Sequence, residues 1–562
     1  MAQHPISRAK GERRVTTSRP WWQRAVFYEN HLPTFRDGNG DGVGDLLGLT
    51  ESLDYLSETL GVGAVWIGPC FRSPMLDEGF DIADHLDIAP VFGDLAVFDK
   101  LVTEAHARGV RVIADYVPNH TSDQHPWFRA SRSSRDDPFR DWYVWRDARP
   151  DGSPPTNWLS EAGGSVWQWD EPTGQYYLHS YLKEMPDLNW RNPAVREAMF
   201  DVLRFWLDRG VDGFRIDVAH LLMKDPEFRD NPPLVTPADN LYDIFHRDFG
   251  SQLHVYDGGH PDVHAVLKQV RAVVDEYPDR VLVGEIAAMD WAGWAAYFGD
   301  SLDEIHLPFA FRLIETPWTA RDLAREVEQM LRHLPDGAKP ILALGNHDRP
   351  RLATRIGRSR AAVAAILLMT LPGVPIVFYG DELGLQDQPV PRDRQRDTFA
   401  FTDGGVSRDP VRTPMPWAAG RRNGGFSEAE ESRLWLPVSR LLGQIDVETQ
   451  LAAPDSLLNL YRALIAERQA NTALLDGGYR LVSSQGELSG GVLIYDRVGV
   501  GEAVRVVLDV EGAGLEITLP MGSTLILSTG ARPQGPLSDS LLVAPNEGLL
   551  IRLPDTDEVQ AA

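Results

Sequence analysis

The sequence predicts an α/β fold: a (β/α)8 TIM barrel with an inserted subdomain after its third strand and a C-terminal antiparallel β domain. Three observations carry this reading. Eight short apolar runs alternate with amphipathic helical periods from Trp21 onward, as in a parallel sheet whose strands are each returned by a helix. The connection from Val117 to Pro193 is too long for an ordinary strand–helix loop. From about Asp476 the apolar period drops to two, which marks half-buried strands.

Taken in order, residues 1–20 read as a tail. It carries Arg8, Lys10, Arg13, Arg14 and Arg19 but no apolar run, so it does not read as a secretory leader. The predicted strands are Ala25–Leu32, Ala64–Gly68, Val110–Val117, Val211–Asp217, Val281–Ile286, Glu304–Leu307, Ile341–Gly345 and Pro375–Tyr379. Helical periods cover Leu49–Leu60, Leu95–Arg108, Pro193–Arg209, Val263–Glu276, Trp291–Phe298, Asp322–Leu334, Ser359–Leu371 and Ser456–Gln469. Residues 21–118 and 191–470 therefore form the barrel. Residues 119–190, rich in Trp, Tyr, Asp and Gly, read as a subdomain over its mouth. An Arg- and Pro-rich stretch, Leu385 to about Pro454, reads as a second insertion at the mouth. Residues 471–562 form the β-sandwich-like C-terminal domain, ending in polar residues.

The 562 residues carry a net charge of −26. That excludes the basic footprint which nucleic acid or an anionic membrane demands and suits a neutral substrate. The single cysteine, Cys70, excludes an internal disulfide and fits a reducing, cytoplasmic compartment. The longest apolar run, Ala361 to Leu371, is far too short to span a membrane. The expected state is a monomer or homodimer.

Side chains alternate along a strand, so Gly213-Phe214-Arg215-Ile216-Asp217 puts Arg215 and Asp217 on one face. Phe214 and Ile216 take the other. Alone, such a pair is equally a structural ion pair. Yet Asp115-Tyr116-Val117-Pro118-Asn119-His120 ends the third strand, Gly284-Glu285 the fifth and Asn346-His347-Asp348 the seventh. Four acidic strand ends of one barrel converge on the same mouth.

These segments, intact and in order, resemble the characteristic regions of the α-amylase family of retaining glycoside hydrolases, over about Trp21 to Gln469. The resemblance implies Asp217 as nucleophile, Glu285 as acid/base and Asp348 as transition-state stabiliser, with Asp115, His120, Arg215 and His347 on the sugar. Retention needs one carboxylate to attack and one carboxylic acid to protonate the leaving oxygen. Arg215 is expected to keep Asp217 ionised, and a crowded acidic pocket to keep Glu285 protonated.

Asp37, Asn39, Asp41, Val43 and Asp45 alternate around glycines, like the first part of a calcium loop without its distal glutamate. In similar oligosaccharide-cleaving enzymes this loop holds one structural Ca2+ or Mg2+, the only cofactor expected.

Arg412-Thr413-Pro414-Met415 resembles a motif of α-glucosidases, oligo-1,6-glucosidases and their transferase relatives. There the arginine pairs with the aspartate before Gly-aromatic-Asp, here Asp77 in Asp77-Glu78-Gly79-Phe80-Asp81. Such a pair closes the site beyond the terminal sugar and implies exo-action. Phe80, Ala162 and Met185 depart from the commonest glucosidase residues, while Tyr181 keeps an aromatic. These changes predict a wider, more apolar acceptor side. Val218 accompanies α-1,6 preference in oligo-1,6-glucosidases, whereas the surrounding motif resembles enzymes that also take α-1,4 substrates. The expected function is an exo-acting, retaining α-glucosidase that cleaves short α-glucosides and transfers glucose to alcohol acceptors. The alternative is a dedicated glucosyltransferase or isomerase of the trehalose- or isomaltulose-synthase kind. Intact catalytic carboxylates exclude a dead scaffold of the transporter-subunit kind.

Overall fold

The computed structural model describes residues 19–234, 248–288, 290–402 and 405–554. Most of the N-terminal tail and the last polar residues lie outside them.

Eight parallel strands form one sheet: β1 Phe27–Asn30, β2 Ala64–Ile67, β3 Arg111–Tyr116, β4 Gly213–Ile216, β5 Val281–Gly284, β6 Leu307–Pro308, β7 Ile341–Leu342 and β8 Val374–Phe378. They neighbour each other in chain order, β8 pairs with β1, and a parallel bridge from Phe309 to Ile341 closes the ring between β6 and β7. Each predicted run holds a strand, although the sixth sits later than expected, at Leu307–Pro308.

Alternation sorts the side chains. Phe27, Trp66, Ile113, Val283, Leu307, Ile341 and Ile376 fill the inside of the barrel. Tyr28, Val65, Val112, Phe214 and Leu282 pack outward among the helices. The helix Pro193–Asp208 shows why such sequences coil: Asn192 caps Ala194, Pro193 presets the first turn, and Val195, Met199, Val202, Leu203 and Trp206 make one buried face.

Between β3 and β4, strands Trp145–Arg146, Trp167–Asp170 and Gln175–Leu178 form a small antiparallel sheet. Bridges His120–Asp187 and Tyr143–Leu188 tie the subdomain's ends together. The segment after β8 is mostly short 3-10 turns, yet it buries Arg408, Asp409, Arg412 and Thr413. The C-terminal region adds a six-stranded and a two-stranded antiparallel sheet. No described helix is long and apolar enough to cross a membrane.

Candidate active site

Register builds the site. Across β3 and β4, Asp115 lies opposite Arg215; across β4 and β5, Arg215 faces Val283 and Ile216 faces Gly284. Asp217 and Glu285, one residue further along, therefore emerge together at the strand ends. Arg215 joins them: its guanidinium reaches Asp115 at 2.9 Å and Asp217 at 2.7 Å, and also bonds Glu285. Trp66 donates to the second oxygen of Asp115 at 3.1 Å. The Trp66 and Phe80 rings lie 4.9 and 5.7 Å from the guanidinium.

One cation thus faces three carboxylates, and their protonation follows from that imbalance. Burial pushes Asp217 well above the ordinary carboxylate range; Arg215 pulls it down, while the charges of Glu285 and Asp115 push it up again. Burial likewise lifts Asp115 to about 6 against the pull of Arg215. Arg215 lowers Asp217, the direction expected of it, while burial outweighs the pull of a cation shared three ways.

Val218 follows Asp217 in a left-handed conformation, φ 37° and ψ 48°. For a β-branched residue this is strained by about 1–2 kcal/mol. The turn aims its amide at Glu285, 3.2 Å away.

Asp348 has the opposite surroundings. Arg408 and Arg412 bond one oxygen at 3.2 and 3.0 Å, and His347 Nε2 lies 3.2 Å from the other. Burial pushes its carboxyl up, but His347, Arg408, Arg412 and Arg349 together hold it well below the usual range. His347 is fixed from behind by Glu29, 2.7 Å from Nδ1, and from the side by Phe80, stacked at 5.6 Å.

The expected Arg412–Asp77 pair does not form. Arg408 bonds Asp77 and Asp397, while Arg412 takes Glu78 at 2.7 Å together with Asp348. Glu78 in turn holds His31 at 2.8 Å. The bond to Asp77 belongs to Arg408, four residues before Arg412.

His120 is buried against the edge of Tyr181, with ring centroids 5.5 Å apart. Burial lowers it to about 4, so near neutral pH it is a neutral imidazole. Tyr181 and Val218 line the cavity that contains Glu285 and Asp348. Ala162 and Met185 do not: both are buried, Met185 in the main core. The apolar lining expected from them comes instead from Ile286, Ala287, Ala288, Trp291, Trp294 and Phe311. Sequence reasoning missed Arg408, Glu78, Glu29 and Glu161. Only Arg408 left a trace, as a second arginine just upstream of the Arg412 motif.

In the loop after β1, Asp37 accepts the amides of Asn39, Gly40 and Gly42. Asp41 accepts that of Val43. Asp45 accepts Gly38, Asn39 and Gly48, capping the next helix. Among the described residues no three His, Cys, Asp or Glu side chains are grouped as metal ligands. The oxygen-only donor set is nevertheless the chemistry Ca2+ and Mg2+ prefer.

Comparison with known proteins agrees with this geometry. The family model described as "Alpha amylase, catalytic domain" matches residues 32–477. A probable α-glucosidase of Rhizobium meliloti (strain 1021) is 41% identical over 493 residues, covering 84% of this chain and 87% of its own. An oligo-1,6-glucosidase of Heyndrickxia coagulans is 36% identical over 503 residues, covering 82% and 87%. Among solved structures, an α-glucosyl transfer enzyme superposes with a TM-score of 0.88 at 35% identity, covering 95% of this chain and 100% of its own. The trehalulose synthase MutB from Pseudomonas mesoacidophila MX-45 gives 0.83 at 32% identity, covering 95% and 99%.

Proposed function

The chain belongs to the α-amylase family, and from that premise we propose that it is an exo-acting, retaining α-glucosidase releasing glucose from the non-reducing end of short α-glucosides. The observation that carries this reading is the pair Asp217–Glu285 on one guanidinium. Two carboxyls gathered on one guanidinium fit retention, whose carboxyls stand about 5 Å apart, better than inversion, which needs a wider gap to hold a water.

The chemistry follows. The reaction asks this pair for one carboxylate and one acid. The Val218 amide donates to Glu285 at 3.2 Å. Asp217 attacks the anomeric carbon while Glu285 protonates the departing oxygen. Water then releases glucose, with Glu285 taking a proton back. Asp348, ionised through its cations, binds sugar hydroxyls and faces the positive charge of the oxocarbenium-like transition state.

Exo-action is supported by the wall that Arg408–Asp77 and Arg412–Glu78 build beside Asp348. A time course on maltohexaose tests it. Glucose and maltopentaose form first, and the glucose is initially the α-anomer by NMR. Early maltotriose, or initial β-glucose, overturns the reading. Transfer of glucose to alcohols is a second reading, favoured by the likeness to the α-glucosyl transfer enzyme and trehalulose synthase structures. The cytoplasm is the compartment favoured by the single, buried cysteine.

Asp37, Asn39, Asp41, the Val43 carbonyl and Asp45 would hold one Ca2+ or Mg2+, bracing the chain between β1 and its helix. Exhaustive chelation is expected to lower the melting temperature by several degrees, reversibly on adding Ca2+. An unmoved melting temperature removes the ion from the account.

A further inference from the structure

A cavity of about 420 Å3 adjoins the one of about 70 Å3 that contains Glu285 and Asp348. The two share Glu161, His220, Ala287 and Ala288 as a common wall. The larger volume lies within the range of small-molecule sites, ~300–1,000 Å3. Its lining is largely apolar, with Trp158, Leu159, Val166, Leu178, Val255 and Tyr297.

Most polar groups there are committed elsewhere. Lys224 is bonded to Asp187 at 2.8 Å, His264 to Glu304 at 2.8 Å and His254 to Asp257 at 2.7 Å. Among the described residues the Tyr181 hydroxyl donates to the Glu161 carboxyl at 3.4 Å. Burial first, then the charge of Glu285, lifts it to about 7, with His254 and Arg349 pulling the other way. Near neutral pH it therefore both donates and accepts hydrogen bonds.

In a retaining reaction the leaving group departs, and the acceptor arrives, on the side of the acid/base. The larger cavity adjoins that side through the four residues the two cavities share, Glu161 among them, and most of its remaining lining is apolar. An oligosaccharide, which needs partners for many hydroxyls, is poorly matched to it. We propose that this cavity receives an acceptor alcohol with an apolar body, and that Glu161 is the specificity-determining residue that holds its hydroxyl for Glu285. The role rests on the glucosidase reading above. In the transfer step the alcohol oxygen bonds the anomeric carbon as the ester bond to Asp217 breaks. The hydroxyl proton passes to the Glu285 carboxylate.

α-Glucosyl fluoride separates the two readings, because its leaving group needs no aglycone site. The measured quantity is glucosylation of benzyl alcohol divided by hydrolysis of the fluoride. The ratio is expected to fall about tenfold in Glu161→Leu, the size of one lost hydrogen bond, and to recover to within about threefold in Glu161→Gln. Val255→Trp, a substitution at a half-exposed rim position, is expected to lower the ratio for benzyl alcohol several-fold more than for methanol. Ratios within twofold of wild type in Glu161→Leu overturn the role of Glu161; equal effects of Val255→Trp on both alcohols overturn the cavity. A wild-type enzyme inert to the fluoride instead overturns the glucosidase reading itself.

Discussion

Asp217 and Asp348 are both buried carboxylates beside arginines at strand ends of one barrel, yet they are driven in opposite directions. The difference lies in the ratio of charges. At Asp217 one guanidinium, that of Arg215, serves Asp115, Asp217 and Glu285, and burial drives Asp217 and Asp115 up. On the stabiliser side, Asp348 faces Arg408, Arg412 and Arg349 as well as His347, so it stays ionised. A proton is needed where bonds are made and broken, and a fixed negative charge where an oxocarbenium-like centre develops. Arginine count, more than arginine presence, separates the two roles.

The largest break in that comparison removes the attacking group. Asp217→Asn keeps the shape and the Arg215 contact but cannot form the glycosyl ester. Turnover of maltose is expected to fall by ~10^4 or more, and a variant retaining more than about a hundredth of wild-type kcat contradicts the assignment.

Next comes the charge ratio itself. Arg408→Met removes one cation from Asp348 and leaves Asp77 and Asp397 buried without their partner. The stability cost is expected to be about 3–5 kcal/mol, as for other broken buried pairs. The catalytic cost is expected to be about a hundredfold in kcat/KM on maltose. Thermal melts and steady-state kinetics read the two effects separately. Equal KM and kcat in the folded variant would show that Arg412 alone suffices at Asp348.

How far the sequence could be read follows the same division. Strand alternation put Arg215 and Asp217 inward and Phe214 and Ile216 outward, because period two is a property of the backbone. Parallel register then brought four strand ends to one mouth. The Arg412–Asp77 pair failed because a motif names residues but not the reach of a long, flexible side chain. Arg408, four residues earlier, took Asp77 and left Arg412 to Glu78. Glu161 was illegible for another reason: a lone glutamate in an irregular loop has no periodic signal, and only packing showed it between two cavities. The strain at Val218 and the burial of Met185 were hidden in the same way.

The smallest effect sharpens the comparison through pH. A carboxyl whose folded value is raised gives stability that is fully present below its unfolded value and lost as pH rises through the folded one. Asp115, lifted to about 6 from an ordinary 3.8, therefore destabilises the fold progressively between about pH 4 and pH 6, by at most ~3 kcal/mol. Asp348 runs the other way: its value is depressed, so its contribution is present above its unfolded value and fades only as the solution turns strongly acid. Asp115→Asn removes the first titration and not the second. The melting temperature of Asp115→Asn minus that of wild type should thus climb as pH rises from 4 to 6.5, whatever its absolute sign. For Asp348→Asn the same difference should become more negative as pH rises out of the acid range. Two parallel curves would mean that Arg215 neutralises its three carboxylates as completely as the Arg408, Arg412 and Arg349 cluster neutralises one, and the charge-ratio account of the two sides would fail.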